Sequence, residues 1–140
     1  MNDIIYQELS YVLNGVFFKV HNELSRFAKE RQYGDAVEIL LKEKGIAYQR
    51  EYEVSFIVEG KSVKGNRVDF IIEGKIVLEF KAKPLITKED YLQMKRYLVA
   101  TGYRLGMLVN FHQQYLKPKR VLNPDKHISN QESASVVSVD

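Results

Sequence analysis

The stretch Val68-Asp69-Phe70-Ile71-Ile72-Glu73-Gly74-Lys75-Ile76-Val77-Leu78-Glu79-Phe80-Lys81 decides how this chain is read. Two apolar runs flank Glu73-Gly74-Lys75, and Asp69, Glu79 and Lys81 interrupt them. Alternation places Val68, Phe70 and Ile72 on one face of a first strand, and Ile76, Leu78 and Phe80 on one face of a second. A two-residue turn at Glu73-Gly74 would pair Ile72 with Lys75 and set the first apolar row beside Glu79 and Lys81. A three-residue loop, Glu73-Gly74-Lys75, pairs Ile72 with Ile76 and brings both rows to one face, which a one-residue slip would undo. The odd loop is therefore predicted. It sets Asp69 opposite Glu79, with Lys81 two residues on and pointing the same way. Buried charge is costly unless paired, so such groups are paired, metal-bound or catalytic. A solvated sheet face with a cross-strand ion network has the same local pattern, and the rest of the chain has to separate the two.

A chain of 140 residues makes one domain with a real core. It has no cysteine, so disulfides, zinc–thiolate sites and a cysteine nucleophile are excluded. The three histidines, His21, His112 and His127, are far apart and form no zinc motif. No apolar run approaches transmembrane length, and the N-terminal stretch is too acidic and polar for a signal peptide, so the expected compartment is the cytoplasm, with no membrane partner. Net charge is +3, and the last sixteen residues hold Asp125, Glu132 and Asp140 against Lys126, leaving +5 on residues 1–124. That mild basic excess permits nucleic-acid binding.

The periodicity predicts a helix over 3–24, with Ile5, Leu9, Val12, Leu13, Val16, Phe17, Val20 and Leu24 as its stripe and Asp3 as cap. A second helix over 29–44 carries Tyr33, Val37, Leu40 and Leu41 and stops at Gly45. A strand over 47–58 alternates through Tyr48, Tyr52, Val54, Phe56 and Val58 and turns at Glu59-Gly60. Val63 leads into the Asp69 strand past Gly65-Asn66. Thr87 and Asp90 resemble a capping box for a helix over 88–101, ended by Gly102, and a last strand covers 105–111. That helix is read as a crossover making the last strand parallel to a neighbour. The result is an α/β or α+β domain, a mixed sheet flanked by helices. Lys117-Pro118-Lys119-Arg120 is read as a solvated exit from the domain. The domain is assigned to residues 1–123, and 124–140 is read as a flexible polar tail.

Further polar groups stand at odd places. Glu30 shares a helical face with Tyr33, Val37 and Leu41; either the helix dipole at a first turn or a site accounts for it. Gln93 and Tyr97, four apart on the third helix, share a face and reach toward a phosphate or a site water, or else are a surface glutamine beside a core tyrosine. His21 flanks the first helix's apolar stripe, where a hydrogen-bonded core role is the ordinary one.

Asp69, then Glu79-x-Lys81, then a helix with Gln93-x-x-x-Tyr97 resembles the PD-(D/E)XK nuclease superfamily, and within it the RecB-like branch with a QxxxY helix. The chain is similar to the small bacterial GxxExxY group from about Glu8 to Phe111, through Val20-His21-x-Glu23-Leu24 and Leu108-Val109-Asn110-Phe111. The group's naming motif maps onto Phe27-x-x-Glu30-x-x-Tyr33, with Phe27 where the group has glycine and Leu24-Ser25-Arg26 lacking its usual Gly-Pro. The resemblance implies a restriction-endonuclease-like core and a metal-dependent nuclease acting on nucleic acid, with DNA the expected partner. It implies that Asp69, Glu79, the Phe80 carbonyl and Glu30 offer oxygens to Mg²⁺ or Mn²⁺ at about 2.1 Å. His21 would add a ligand, Lys81 would orient the attacking water or neutralise charge on phosphorus, and Gln93 and Tyr97 would position the phosphate or hold Lys81. The opposing readings are a non-catalytic nucleic-acid- or protein-binding module that keeps the fold, and a structural partner protein that binds no metal.

Overall fold

The structure, a computed structural model, describes residues 4–125. Asp3, expected as a cap, and most of the expected tail lie outside the described residues. The elements run α1 (Gln7–Leu24), α2 (Glu30–Lys44), β1 (Tyr48–Val58), β2 (Lys61–Ile72), β3 (Ile76–Lys81), α3 (Lys88–Thr101), β4 (Leu105–Asn110) and β5 (Lys119–Leu122). One sheet has the order β1-β2-β3-β4-β5. Its neighbours are antiparallel except β3 and β4, which run parallel because α3 crosses over between them. This is the mixed sheet between helices that the sequence predicts.

Each face of the sheet has its own core. Leu13, Val16, Phe17 and Val20 of α1 and Tyr33, Val37 and Leu41 of α2 pack on Phe70, Ile72, Leu78, Phe80, Met107 and Val109. Met94, Tyr97 and Leu98 of α3 pack on Ile71 and Val77 from the other side. The helix ends follow local chemistry. Gly45 and Gly102 take the left-handed conformation at the ends of α2 and α3. The Thr87 side chain accepts from the Asp90 amide while Asp90 Oδ2 accepts the Thr87 amide at 2.7 Å, the predicted capping box. Helix α1 starts at Gln7, not at residue 3, because Tyr6 sits left-handed at φ 53° and the helix cannot run back through it.

The hairpin has the predicted register. Ile72 pairs with Ile76 and Phe70 with Leu78, across a loop in which Glu73 and Gly74 have φ 54° and 62°. The Lys75 amide closes the loop on the Ile72 carbonyl at 2.8 Å.

Three expectations fail. Val68 does not share a face with Phe70 and Ile72; it packs with Val54, Ile71 and Tyr97 on the α3 side. Tyr48 likewise packs against the α1–α2 core whereas Tyr52 packs on the α3 side, although both are even-numbered positions of β1. Both strands change face at one level, between Arg50↔Phe70 and Tyr52↔Val68, where Glu51 has φ 53° and alternation is broken. Strand β2 runs from Val63 through Gly65-Asn66 into Asp69 as expected, with a register shift opposite Glu53–Ser55. A Cβ on Gly65 would meet the Val54 carbonyl, so only glycine fits there. The Lys117–Arg120 cluster is not a solvated exit. Lys119 and Arg120 belong to β5 and pair with Leu108 and Met107, and the Arg120 guanidinium donates to Ser10 Oγ and the Ile5 carbonyl, both at 2.6 Å. All of β4 is buried, so its second edge needs a hydrogen-bonding partner, and a mostly exposed strand supplies it.

Candidate active site

Asp69 and Glu79 meet where the hairpin ladder stops. Beyond the Phe70↔Leu78 pair each carboxylate takes a main-chain amide of the other strand. The Phe80 amide donates to Asp69 Oδ2 at 2.6 Å, and the Asp69 amide donates to Glu79 Oε1 at 3.2 Å. The break in alternation at Asp69 therefore does two things: it turns Val68 to the α3 side, and it leaves main-chain donors for side-chain carboxylates.

Glu79 is buried and Asp69 half-buried. Burial is the main force on both. It pushes Asp69 up to about 6 against the Phe80 amide bond, with the charge of Glu30 adding to the rise. It pushes Glu79 up to about 8, with the Asp69 charge adding and Lys81 opposing. The two acids share a poorly solvated place, so the pair resists carrying two negative charges.

Lys81 stands between two carboxylates, its Nζ 3.9 Å from Glu79 Oε2 and 3.8 Å from Asp90 Oδ1. Asp90 is the capping-box residue of α3 and is itself held by Lys83 Nζ at 2.7 Å. Burial opposes its charge, but the bonds from Lys83 and Thr87 outweigh that and hold its carboxyl below the usual range. Tyr97 is buried and faces the same place. Burial raises its hydroxyl above the usual value, against a hydrogen bond with Asn66, and the Glu79 and Asp69 charges add to the rise. Gln93 is half-buried one turn before it.

Glu30 opens α2 and is exposed, yet it lines one polar cleft of about 440 Å³ together with Asp69, Gly34, Arg50 and Glu51. It is thus at the mouth of the site, within electrostatic reach of both acids. The Phe80 ring lies in the core beside Phe17, Phe70 and Phe111, so its main chain alone meets the acids. His21 is half-buried and donates from Nε2 to the Gln113 carbonyl at 2.8 Å, the bond expected of a hydrogen-bonded histidine.

Two residues of this neighbourhood escape sequence reasoning. Asp90 reads fully as a helix cap, and nothing in its spacing signals that it also reaches Lys81. Asn110 ends an otherwise apolar strand and is buried. Its Oδ1 accepts the Lys83 amide at 3.2 Å and its Nδ2 donates to the Lys83 carbonyl at 2.8 Å, pinning the chain just past Lys81. A polar residue closing an apolar run is the signal that marks it.

Among the described residues, no three Asp, Glu or His side chains stand close enough to form a complete metal-ligand set. The donors present nonetheless fit a hard divalent cation. Asp69 and Glu79 are neighbouring carboxylates with raised proton affinity, and each has an oxygen not taken by a main-chain amide.

The pattern of the PD-(D/E)XK nuclease superfamily matches residues 7–121, most of the chain. The chain belongs to that superfamily. Membership supports a hydrolase acting on phosphodiester bonds and hence a nucleic-acid substrate, in a superfamily whose nucleases generally use divalent metals. Among solved structures, this PD-(D/E)XK domain is similar to the crystal structure of SSO0001, at 24% identity and a TM-score of 0.52, covering 83% of this chain and 67% of that one. It is also similar to the alkaline exonuclease LHK-Exo from Laribacter hongkongensis, at 13% identity and a TM-score of 0.46, covering 69% and 57%. The first likeness is one of fold. No curated protein matches the sequence. Among the described residues no helix is long and apolar enough to cross a membrane.

Proposed function

We propose that this PD-(D/E)XK domain is a Mg²⁺- or Mn²⁺-dependent nuclease that hydrolyses DNA, related to the GxxExxY group and carrying the QxxxY helix of the RecB-like branch. The observation that carries this reading is the Asp69–Glu79 pair. One buried and one half-buried acid side by side, pushed up to about 8 and about 6 with one lysine 3.9 Å from the buried one, are short of positive charge. A bound divalent cation would supply that charge, polarise the scissile phosphate and acidify a water.

Asp69 and Glu79 would hold the ion, with the Phe80 carbonyl beside them, Glu30 at the mouth and His21 as a further ligand. Lys81 would place its ammonium against the attacking water or the charge that develops on phosphorus. Tyr97, protonated at neutral pH, and Gln93 would hold a phosphate oxygen from the α3 side. The excess of +5 on residues 1–124 supports a polyanionic substrate. We place its action in the cytoplasm.

The test titrates Mg²⁺ and Mn²⁺ by calorimetry and assays single- and double-stranded DNA and RNA. Asp69→Ala is expected to lose metal binding and cleavage together. Lys81→Ala is expected to keep metal and lose rate, by about 10²-fold or more, because lysine acts on charge formed in the transition state. Binding of nucleic acid without cleavage under either metal would replace this reading with the binding module. No metal binding at all would leave a structural partner protein.

A further inference from the structure

Helix α1 has an outer face that the other described residues leave open. Glu8, Tyr11, Val12, Gly15, Phe18 and Lys19 are all exposed and follow the three-and-four spacing of one helical stripe. Tyr11 is 79% exposed, Phe18 45% and Val12 38%. With Gly15 they line an apolar depression of about 430 Å³, rimmed by Lys44. Gly15 lies in the helix interior, where glycine weakens a helix. Among the described residues a Cβ there would meet nothing within 4 Å, so none of them needs the missing side chain. A second backbone passing close to α1 would.

We propose that this face is where two copies of the chain associate, α1 against α1, antiparallel about a two-fold axis at Gly15. The charge pattern selects this occupant. In such a pair, residues equally far before and after Gly15 come level, so Tyr11 and Val12 meet the level of Phe18 and Lys19 of the second copy. At about 100° per residue, Tyr11 and Phe18 fall to one side of Gly15, and Glu8, Val12 and Lys19 fall to the other. The two-fold keeps those sides together. Tyr11 then lies on Phe18 of the second copy, an aromatic pair made twice. Glu8 lies within a turn of Lys19 of the second copy, an ion pair made twice. A parallel pair would set Glu8 against Glu8. The α1 residues that pack on the sheet face the opposite way, so the dimer leaves the Asp69 cleft free, and the proposal stands apart from the nuclease reading.

Sedimentation velocity over roughly 1–200 µM tests it, the range suited to an interface at the small end of the stable class. Wild type is expected to show a concentration-dependent dimer. Glu8→Lys alone and Lys19→Glu alone should each weaken it about tenfold or more, and the combined variant should recover most of the loss. Gly15→Gln should abolish the dimer while raising the melting temperature of the dilute monomer, because it removes a helical glycine and meets no neighbour. The proposal is overturned by a wild type that stays monomeric throughout, by a dimer indifferent to Gly15→Gln, or by a double charge reversal no better than either single one. None of these readouts depends on cleavage, so their failure leaves the nuclease reading untouched.

Discussion

Glu79 and Asp69 are ordinary side chains in an unusual solvent. Their folded carboxyls bind protons more tightly than the free values of 4.5 and 3.8. Between those free values and about 8, the metal-free folded protein binds more protons than the unfolded chain, so the pair's contribution to stability falls as pH rises through that window. Glu79→Gln is therefore expected to raise metal-free stability at pH 8 by about 1–3 kcal/mol and to change little at pH 4. Thermal melts at both values check this. Saturating Mg²⁺ should reverse the order at pH 8, since wild type then gains binding energy that the variant lacks. At the same scale, Asp90→Asn is expected to lower cleavage rate without lowering metal affinity, because it touches Lys81 and not the two acids; comparing kcat with calorimetric affinity separates those effects.

Helix α3 and strand β4 are the elements that carry the lysine's surroundings. Thr87→Ala removes the side chain that accepts from the Asp90 amide and is expected to cost about 1 kcal/mol. It should also loosen Asp90, which Thr87 holds from both main chain and hydroxyl. Gly106 of β4 lies under α3, where an added Cβ would meet Met94 Sδ. Gly106→Ala is expected to destabilise by about 1–3 kcal/mol, since the fully buried Met94 side chain would have to shift within the core. Denaturant unfolding of both variants measures these costs. The capping box, the glycine stops and the hairpin register were all legible in sequence, because each depends on residues within a few positions of one another. The role of Gly106 was not, because it depends on what α3 lays across it.

Across the whole molecule, five strands are closed off by β5, whose mostly exposed residues pair with buried β4 and tie back to Ser10 and Ile5 of the N-terminal region. Truncation before Lys119 is expected to leave β4 with an open apolar edge and to give insoluble or molten protein, read by soluble yield and near-ultraviolet circular dichroism. By itself the sequence determined the order of the first seven elements, the three-residue hairpin loop and hence the meeting of Asp69 with Glu79. Apolar periodicity and turn chemistry are local, and a slip of one residue would have moved a whole apolar row into water. Only the tertiary structure decided the rest. It turned Val68 to the α3 face, made Lys119 and Arg120 an edge strand, and brought Asp90 and Asn110 beside Lys81 and Lys83. Those placements are set by partners far away in the chain, and the need of a buried strand or a buried charge for a neighbour cannot be read from either residue alone.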